Sequence, residues 1–353
     1  MTQTNTIPDI SAKPWTKSSP PRRVLAIRLQ AMGDLVITLP YLQALRMALP
    51  GPVEIDLLTR REVDPIPRNI QLFNHVYSIG GGRNFKKILL HTFLLLPKLL
   101  SRRYDMIIDL QNNTVSRVVR RVLRPKAWSA FDRFSPIAAG ERTRLTIEAA
   151  GFAGIRMNTR FRLKEENRGC TILKNSGWNG TDMLVVLNPA GFVETRNWAM
   201  QNYVEFARRW LKQFPDTKFL VLGIPLIAQK AALLEQELGD RLLNLVDRTN
   251  PLEAFAVLQH TSLVLSEDSG LMHMAWVSGI PTLVLFGSTR SDWSKPLGSH
   301  SFFLDSSDLP CGHCMQSVCR FGDTRCLSRY TPQQVLQHAL TLIQNKNRQP
   351  FIN

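Results

Sequence analysis

No stretch of these 353 residues is apolar for long enough to span a bilayer. The first twenty residues are polar and broken by Pro8, Pro14 and Pro20, so the apolar core of a secretory signal is also missing. These absences point to a cytoplasmic protein whose residues 1–22 form a disordered lead-in. Acidic residues are scarce: 28 Asp and Glu stand against 44 Lys and Arg, a formal net charge of +16. An excess of that size points to an acidic partner, whether nucleic acid, anionic membrane or phosphorylated substrate. Zinc-finger spacing and an aromatic RNA-binding signature are both lacking, which disfavours nucleic acid. There is no short-period internal repeat.

What is present is a matched pair of loops, one in each half. An apolar run at 24–29 leads into Gln30-Ala31-Met32-Gly33-Asp34 and then a helix-like stretch. A second run at 263–266 leads into Glu267-Asp268-Ser269-Gly270 and then Leu271-Met272-His273. Both read as strand, tight turn, helix, the unit whose strand end and helix N-terminus receive anions and reactive groups. The chain is long enough for two domains, expected at 23–170 and 171–353. Further strands are expected at 53–58, 76–79 and 106–110 in the first half. In the second they are expected at 183–187, 218–222, 242–246 and 281–286, short and apolar as buried parallel strands are. Tyr203, Phe206, Ala207, Trp210 and Leu211 fall on one face of a helix. Thr331-Pro332 reads as the cap and first position of a final helix. The turn-rich stretch 164–181 reads as a linker.

Several residues admit two readings. Asp268 fits a helix cap, or a grip on sugar hydroxyls beside a phosphate bound at Ser269 and Gly270. His273, about one turn into the helix, fits simple packing. Asp34 fits a turn or cap, or a carboxylate acting as general base. In Asn188-Pro189-Ala190-Gly191, followed by Arg196 and Trp198, the small residues allow a backbone cradle and Arg196 offers planar donors to a phosphate.

Taken in this order and spacing, these motifs resemble the bacterial heptosyltransferases of lipopolysaccharide core synthesis, glycosyltransferase family 9. Asp105-Met106-Ile107-Ile108-Asp109-Leu110-Gln111 and Gly279-Ile280-Pro281-Thr282-Leu283-Val284-Leu285-Phe286-Gly287 complete the set, and the likeness runs from Val24 to Ala339. It implies an α/β GT-B fold: two Rossmann-like parallel-sheet domains facing across a cleft, the nucleotide-sugar donor on the C-terminal one and the lipid acceptor on the N-terminal one. It implies that Asp34 deprotonates the acceptor hydroxyl, that Arg196 binds the donor diphosphate and that Asp268 contacts the donor sugar. Gly191, Ser269, Gly270 and His273 join the expected donor site. The chain departs from the family in carrying Arg196 where lysine is usual and Asp247 where glycine is common. No early acidic residue follows Leu222-Gly223 to hold the donor ribose.

The expected activity is inverting transfer of a heptose from ADP-heptose to the inner core of a lipopolysaccharide precursor, without metal or other cofactor. It is expected at the cytoplasmic face of the inner membrane, in peripheral contact with it. A different donor such as a UDP-sugar, or a non-catalytic protein binding anionic lipid or nucleic acid, are the alternatives. Among the arginines of the first half, Arg60, Arg61 and Arg120 are candidates for the anionic groups of a lipid A/Kdo-type acceptor. Residues 86–103, apolar in the middle, basic at both ends and containing Pro97, suit a membrane-surface helix or one packed in its own domain. Cys311, Cys314, Cys319 and Cys326 crowd the end of the chain; four thiols could hold zinc, but only the first pair has the usual short spacing.

Overall fold

The computed structural model describes residues 8–348, and these divide into two compact units, Met1–Lys164 and Glu165–Asn353. The first is built on β1 (Ser11–Lys13), β2 (Arg23–Ile27), β3 (Glu54–Arg60), β4 (His75–Ile79), β5 (Met106–Asp109) and β6 (Ala127–Ala130), in spatial order β1-β6-β5-β2-β3-β4. All neighbours run parallel except β1 and β6. Val24, Leu25, Ala26 and Ile27 are all fully buried, because a parallel strand covered on both faces needs apolar residues in succession. Such strands also need long crossovers, supplied by helices that include Met32–Ala48, Phe85–Arg102 and Thr114–Leu123.

The second unit repeats the plan with β7 (Met183–Asn188), β8 (Thr217–Gly223), β9 (Leu242–Val246), β10 (Leu263–Glu267), β11 (Thr282–Leu285) and β12 (Ser301–Leu304), ordered β12-β11-β10-β7-β8-β9 and parallel throughout. Its core includes Tyr203, Phe206, Ala207 and Trp210 from the helix Met200–Leu211, all fully buried. The last helix, Pro332–Arg348, begins where expected: Gln334 N–H donates to Thr331 Oγ1 (3.3 Å) and Thr331 N–H to Gln334 Oε1 (2.9 Å). Each unit is a Rossmann-like parallel-sheet domain, and each carries its own core.

Two expectations need correction. Residues 8–22 are not a disordered lead-in: β1 sets Ser11 against Ala130 and Lys13 against Trp128, and Trp15 N–H donates to Ala150 O at 2.8 Å. Main-chain pairing needs no apolar side chains, so composition could not show it; residues 1–7 lie outside the described residues. The stretch 164–181 is not a bare linker, and the contact boundary falls between Lys164 and Glu165 rather than after residue 170. It holds the helix Arg168–Asn175, docked by fully buried Leu173 and by ion pairs of Arg168 to Glu165 and Glu253, both 3.0 Å. A Cβ on Gly169 would lie 2.2 Å from Ala256 O, so only glycine lets this helix approach its neighbour so closely. Among the described residues, no helix is long and apolar enough to cross a membrane.

Candidate active site

In the first unit β2 delivers Arg28-Leu29-Gln30-Ala31 to the start of the helix Met32–Ala48, and Asp34 stands in its first turn. A carboxylate is favoured there by the unpaired amides of the helix end. Asp34 Oδ2 accepts from Ala31 N–H at 3.1 Å and faces Arg28 Nη2 at 2.8 Å, yet 44% of its side chain stays exposed. Arg28 is only 6% exposed; its Nη1 donates to Leu110 O and its guanidinium lies 5.2 Å over the Phe131 ring. Burial lowers the Arg28 pKa, and Asp34 opposes that shift. Gln111 Oε1 accepts from Leu29 N–H (2.9 Å) and Gln30 N–H (3.1 Å), pinning the loop. The arrangement is a solvent-open carboxylate clamped to a buried cation. It also supplies the capping bond, so both readings of Asp34 describe the same side chain.

The three arginines expected to meet an acceptor part company. Arg60 donates to Glu62 (3.0 Å), Gln30 (3.3 Å) and Gly82 O, tying the end of β3 to the Asp34 loop. With Gln30, Phe85, Ile88 and Asn113 it lines a cavity of about 160 Å³. Arg61 is exposed at the next position. Arg120 lies 3.6 Å from fully buried Asp109 and stacks 4.2 Å over Trp128. It also borders a basic cavity with Lys13, Arg121 and Arg124. Burial raises the Asp109 pKa, against two backbone N–H bonds and Arg120.

In the second unit β7 ends at Asn188 and β10 at Glu267. Asn188 Nδ2 donates to Ser266 Oγ (2.8 Å) and Ser269 Oγ (2.9 Å), joining the two strand ends. Ser269 caps the helix Gly270–Val277 by accepting from Met272 N–H. The cap is therefore Ser269, and half-buried Asp268 stands outside the capping bond. A Cβ on Gly270 would meet open space, so the helix end is accessible to an anion. His273 is 8% exposed, its Nδ1 accepting from Trp276 Nε1 at 3.1 Å, as a packed histidine would be.

The loop 189–198 is held by two residues that sequence reasoning passed over. Glu267, 1% exposed, accepts Gly191 N–H at 2.5 Å and Trp198 N–H at 2.6 Å. Lys230 Nζ donates to Pro189 O (3.0 Å), Gly191 O (2.6 Å) and Asn197 Oδ1. Burial pushes the Glu267 pKa up to about 7 against the two N–H bonds and Lys230; burial lowers that of Lys230. A Cβ on Gly191 would lie 2.0 Å from Arg196 O, so the loop can close only on glycine. Arg196, half-buried, keeps a buried Nε with no hydrogen-bond partner among the described residues. A buried donor left unpaired is costly unless a ligand uses it.

All five cysteines are free thiols, and Cys311, Cys314, Cys319 and Cys326 line one cavity of about 720 Å³ that reaches Thr195 and Ser288. Burial raises the Cys326 pKa, with the other three thiols adding to it. Among the described residues, no group of three or more His, Cys, Asp or Glu side chains is arranged to hold a metal ion.

Residues 135–324 match the model of glycosyltransferase family 9 (heptosyltransferase). The chain is 24% identical to lipopolysaccharide heptosyltransferase 1 of Pseudomonas aeruginosa, over 89% of this chain and 96% of that protein. Among solved structures, a family 9 glycosyl transferase from Veillonella parvula superposes with a TM-score of 0.76 at 17% identity, covering 92% of this chain and 97% of that one. The E. coli ADP-heptose lipopolysaccharide heptosyltransferase II gives 0.70, also at 17% identity, over 92% and 99%. With its two parallel-sheet domains and a family match across more than half its length, the chain belongs to glycosyltransferase family 9.

Proposed function

We propose that this protein transfers a heptose from ADP-heptose to the inner core of a lipopolysaccharide precursor, with inversion at the anomeric carbon. The observation that carries the reading is Asp34, a half-exposed carboxylate held 2.8 Å from the buried Arg28 guanidinium in a family 9 chain. An acceptor hydroxyl attacks the sugar's anomeric carbon while its proton passes to the Asp34 carboxylate. The bond from that carbon to the β-phosphate oxygen breaks, and its electron pair leaves on ADP. Attack from the face opposite the leaving group inverts the centre. The proton on Asp34 then returns to water.

In the second unit Arg196 and the amides at the start of the helix Gly270–Val277 face the charge growing on the diphosphate. That cationic and dipolar set takes the place a metal would fill, so the reaction as written uses none. Gly191 lets the loop that carries Arg196 close beside the phosphates, Ser269 and Gly270 open the helix end, and Asp268 grips sugar hydroxyls. His273 belongs to this site through packing. On the acceptor side exposed Arg61 meets the anionic groups of a lipid A/Kdo-type acceptor directly, while Arg60 and Arg120 shape the surface beside it. Such an acceptor places the enzyme at the cytoplasmic face of the inner membrane, in peripheral contact. The relatives' names support this reading: one is a lipopolysaccharide heptosyltransferase and another is named an ADP-heptose lipopolysaccharide heptosyltransferase. The test is incubation with ADP-heptose and truncated lipid acceptors, reading product mass. A mass gain of one heptose supports the reading. Transfer from a UDP-sugar instead would reassign the donor, and no transfer from any nucleotide sugar would remove the activity.

A further inference from the structure

Away from these loops, the helix Phe85–Arg102 has an unusual surface. Its inner face is ordinary, with Thr92, Leu96 and Leu99 buried and Ile88, Leu89 and Leu95 packed against the core. Its outer face is apolar as well: Leu90 is 56% exposed, Phe93 55%, Leu94 70% and Leu100 46%. At 3.6 residues per turn, Leu100, Phe93, Leu90 and Leu94 fall within an arc of about 120°, with Lys87 and Lys98 along one edge and Lys86 within it at the start of the helix. A helix of a water-exposed surface normally has one apolar stripe. A second, contiguous one marks a binding surface.

Charge identifies the occupant. Between Asp64 and Asp132 the only acidic residues are Asp105 and Asp109. Asp109 is fully buried, and Asp105 is paired with Lys126 at 2.6 Å. Arg83, Lys86, Lys87 and Lys98, before and on the same helix, are all exposed, and Arg117 and Arg121 are exposed on the helix Thr114–Leu123 packed beside it. Two copies of such a face would repel each other, whereas an apolar ridge rimmed with lysines suits an anionic bilayer.

We propose that the helix Phe85–Arg102 is the bilayer-docking element of this protein. Leu90, Phe93 and Leu94 enter the boundary between headgroups and acyl chains, and the lysines meet headgroup phosphates. The proposal deepens the reading of a membrane-borne acceptor and rests on it for its purpose. Phe85 and Ile88, at the helix start, line the 160 Å³ cavity that also touches Gln30 of the Asp34 loop. Docking along this helix therefore brings the lipid surface to the loop that carries the base.

The experiment is sedimentation of the full-length chain with vesicles of phosphatidylethanolamine and phosphatidylglycerol, against vesicles of phosphatidylcholine. Binding to the anionic vesicles at least about tenfold tighter is expected. The Leu90→Glu/Leu94→Glu variant should lose at least about tenfold in that binding. Its melting temperature and its transfer to a delipidated, water-soluble acceptor should stay unchanged. Lys86→Glu/Lys87→Glu should weaken binding about fivefold per charge and flatten its salt dependence. Wild-type protein that ignores anionic vesicles, a Leu90→Glu/Leu94→Glu variant that binds like wild type, or a dimer abolished by that variant would each overturn docking. Vesicle binding without any sugar transfer would instead leave docking standing and remove the glycosyltransferase reading.

Discussion

In the proposed mechanism Asp34 is both proton acceptor and helix cap, and amide and alanine substitutions separate the two roles. Asn at this position still accepts from Ala31 N–H but cannot take a proton. Asp34→Asn should therefore lose about 10²–10⁴ in turnover, and its melting temperature should fall because the buried Arg28 guanidinium loses its counter-charge. Asp34→Ala should lose the same turnover and about 1 kcal/mol more stability than Asp34→Asn through the missing cap. Equal activity in both variants and wild type, under saturating donor, would take Asp34 out of the mechanism. Glu267 makes a different prediction. Its folded pKa of about 7 lies above the ordinary 4.5 because the carboxyl is buried. The folded state then binds a proton that the unfolded state has released. Stability should fall as pH rises from 4.5 towards 7, by up to about 1.4 kcal/mol per pH unit from this group. Glu267→Gln should remove that slope, and its amide, facing either Gly191 or Trp198 N–H, should cost about 1–3 kcal/mol. Melting curves across that window in both proteins are the check; parallel profiles would refute the assignment.

Secondary structure was legible wherever burial on both faces forces an apolar run. Residues 24–29, 53–58, 106–110 and 263–266 land within about two residues of observed strands, as boundary uncertainty allows. The strands left unread, β1, β6 and β12, are three or four residues long, and β1 and β12 lie at sheet edges where side chains are half-covered. Their pairing is carried by main-chain bonds that no side-chain pattern records. The site divided along a similar line. Asp34, Gly191, Ser269 and Gly270 stood out because turns after strands need small or capping residues. Arg28, Glu267 and Lys230 did not, since each acts through partners distant in sequence: Leu110, the Gly191 loop, Pro189 and Asn197. A charge at the end of an otherwise buried strand, as at Arg28 and Glu267, was the available signal. The amphipathic helix Met200–Leu211 was read correctly, and it makes a firm packing prediction. Trp210 is fully buried, lies 4.8 Å from Phe214 and donates to Thr217 Oγ1 at 3.1 Å. Trp210→Ala should cost about 3–5 kcal/mol, measured by denaturant titration; a loss under 1 kcal/mol would mean that the cavity collapses without penalty.

At the scale of the whole molecule, each unit has its own sheet and its own core, and the proposed donor loops all lie in the second. Trp178, Trp198, Trp210, Trp276 and Trp293 belong to that unit, against Trp15 and Trp128 in the first. ADP at about one hundred times its dissociation constant should stabilise the second unit by about 2.7 kcal/mol. Tryptophan fluorescence should then report a melting transition that moves with ADP, while far-ultraviolet circular dichroism retains an earlier component that does not. A single transition moving as one under both probes would show that the units unfold together. The net charge of +16 fits the proposed scheme without nucleic acid, because the proposed partners, a diphosphate, an anionic acceptor and a lipid surface, are all acidic.

The way Glu267 and Lys230 grip main-chain atoms of the 189–198 loop has an evolutionary corollary. Because the main-chain bonds ignore side-chain identity and the one side-chain bond is to Asn197, Phe192 and Glu194, which are exposed, can be exchanged without rebuilding the scaffold. New preferences for the group carried by the nucleotide can then arise by drift at the tip, with the buried acid and amine left untouched.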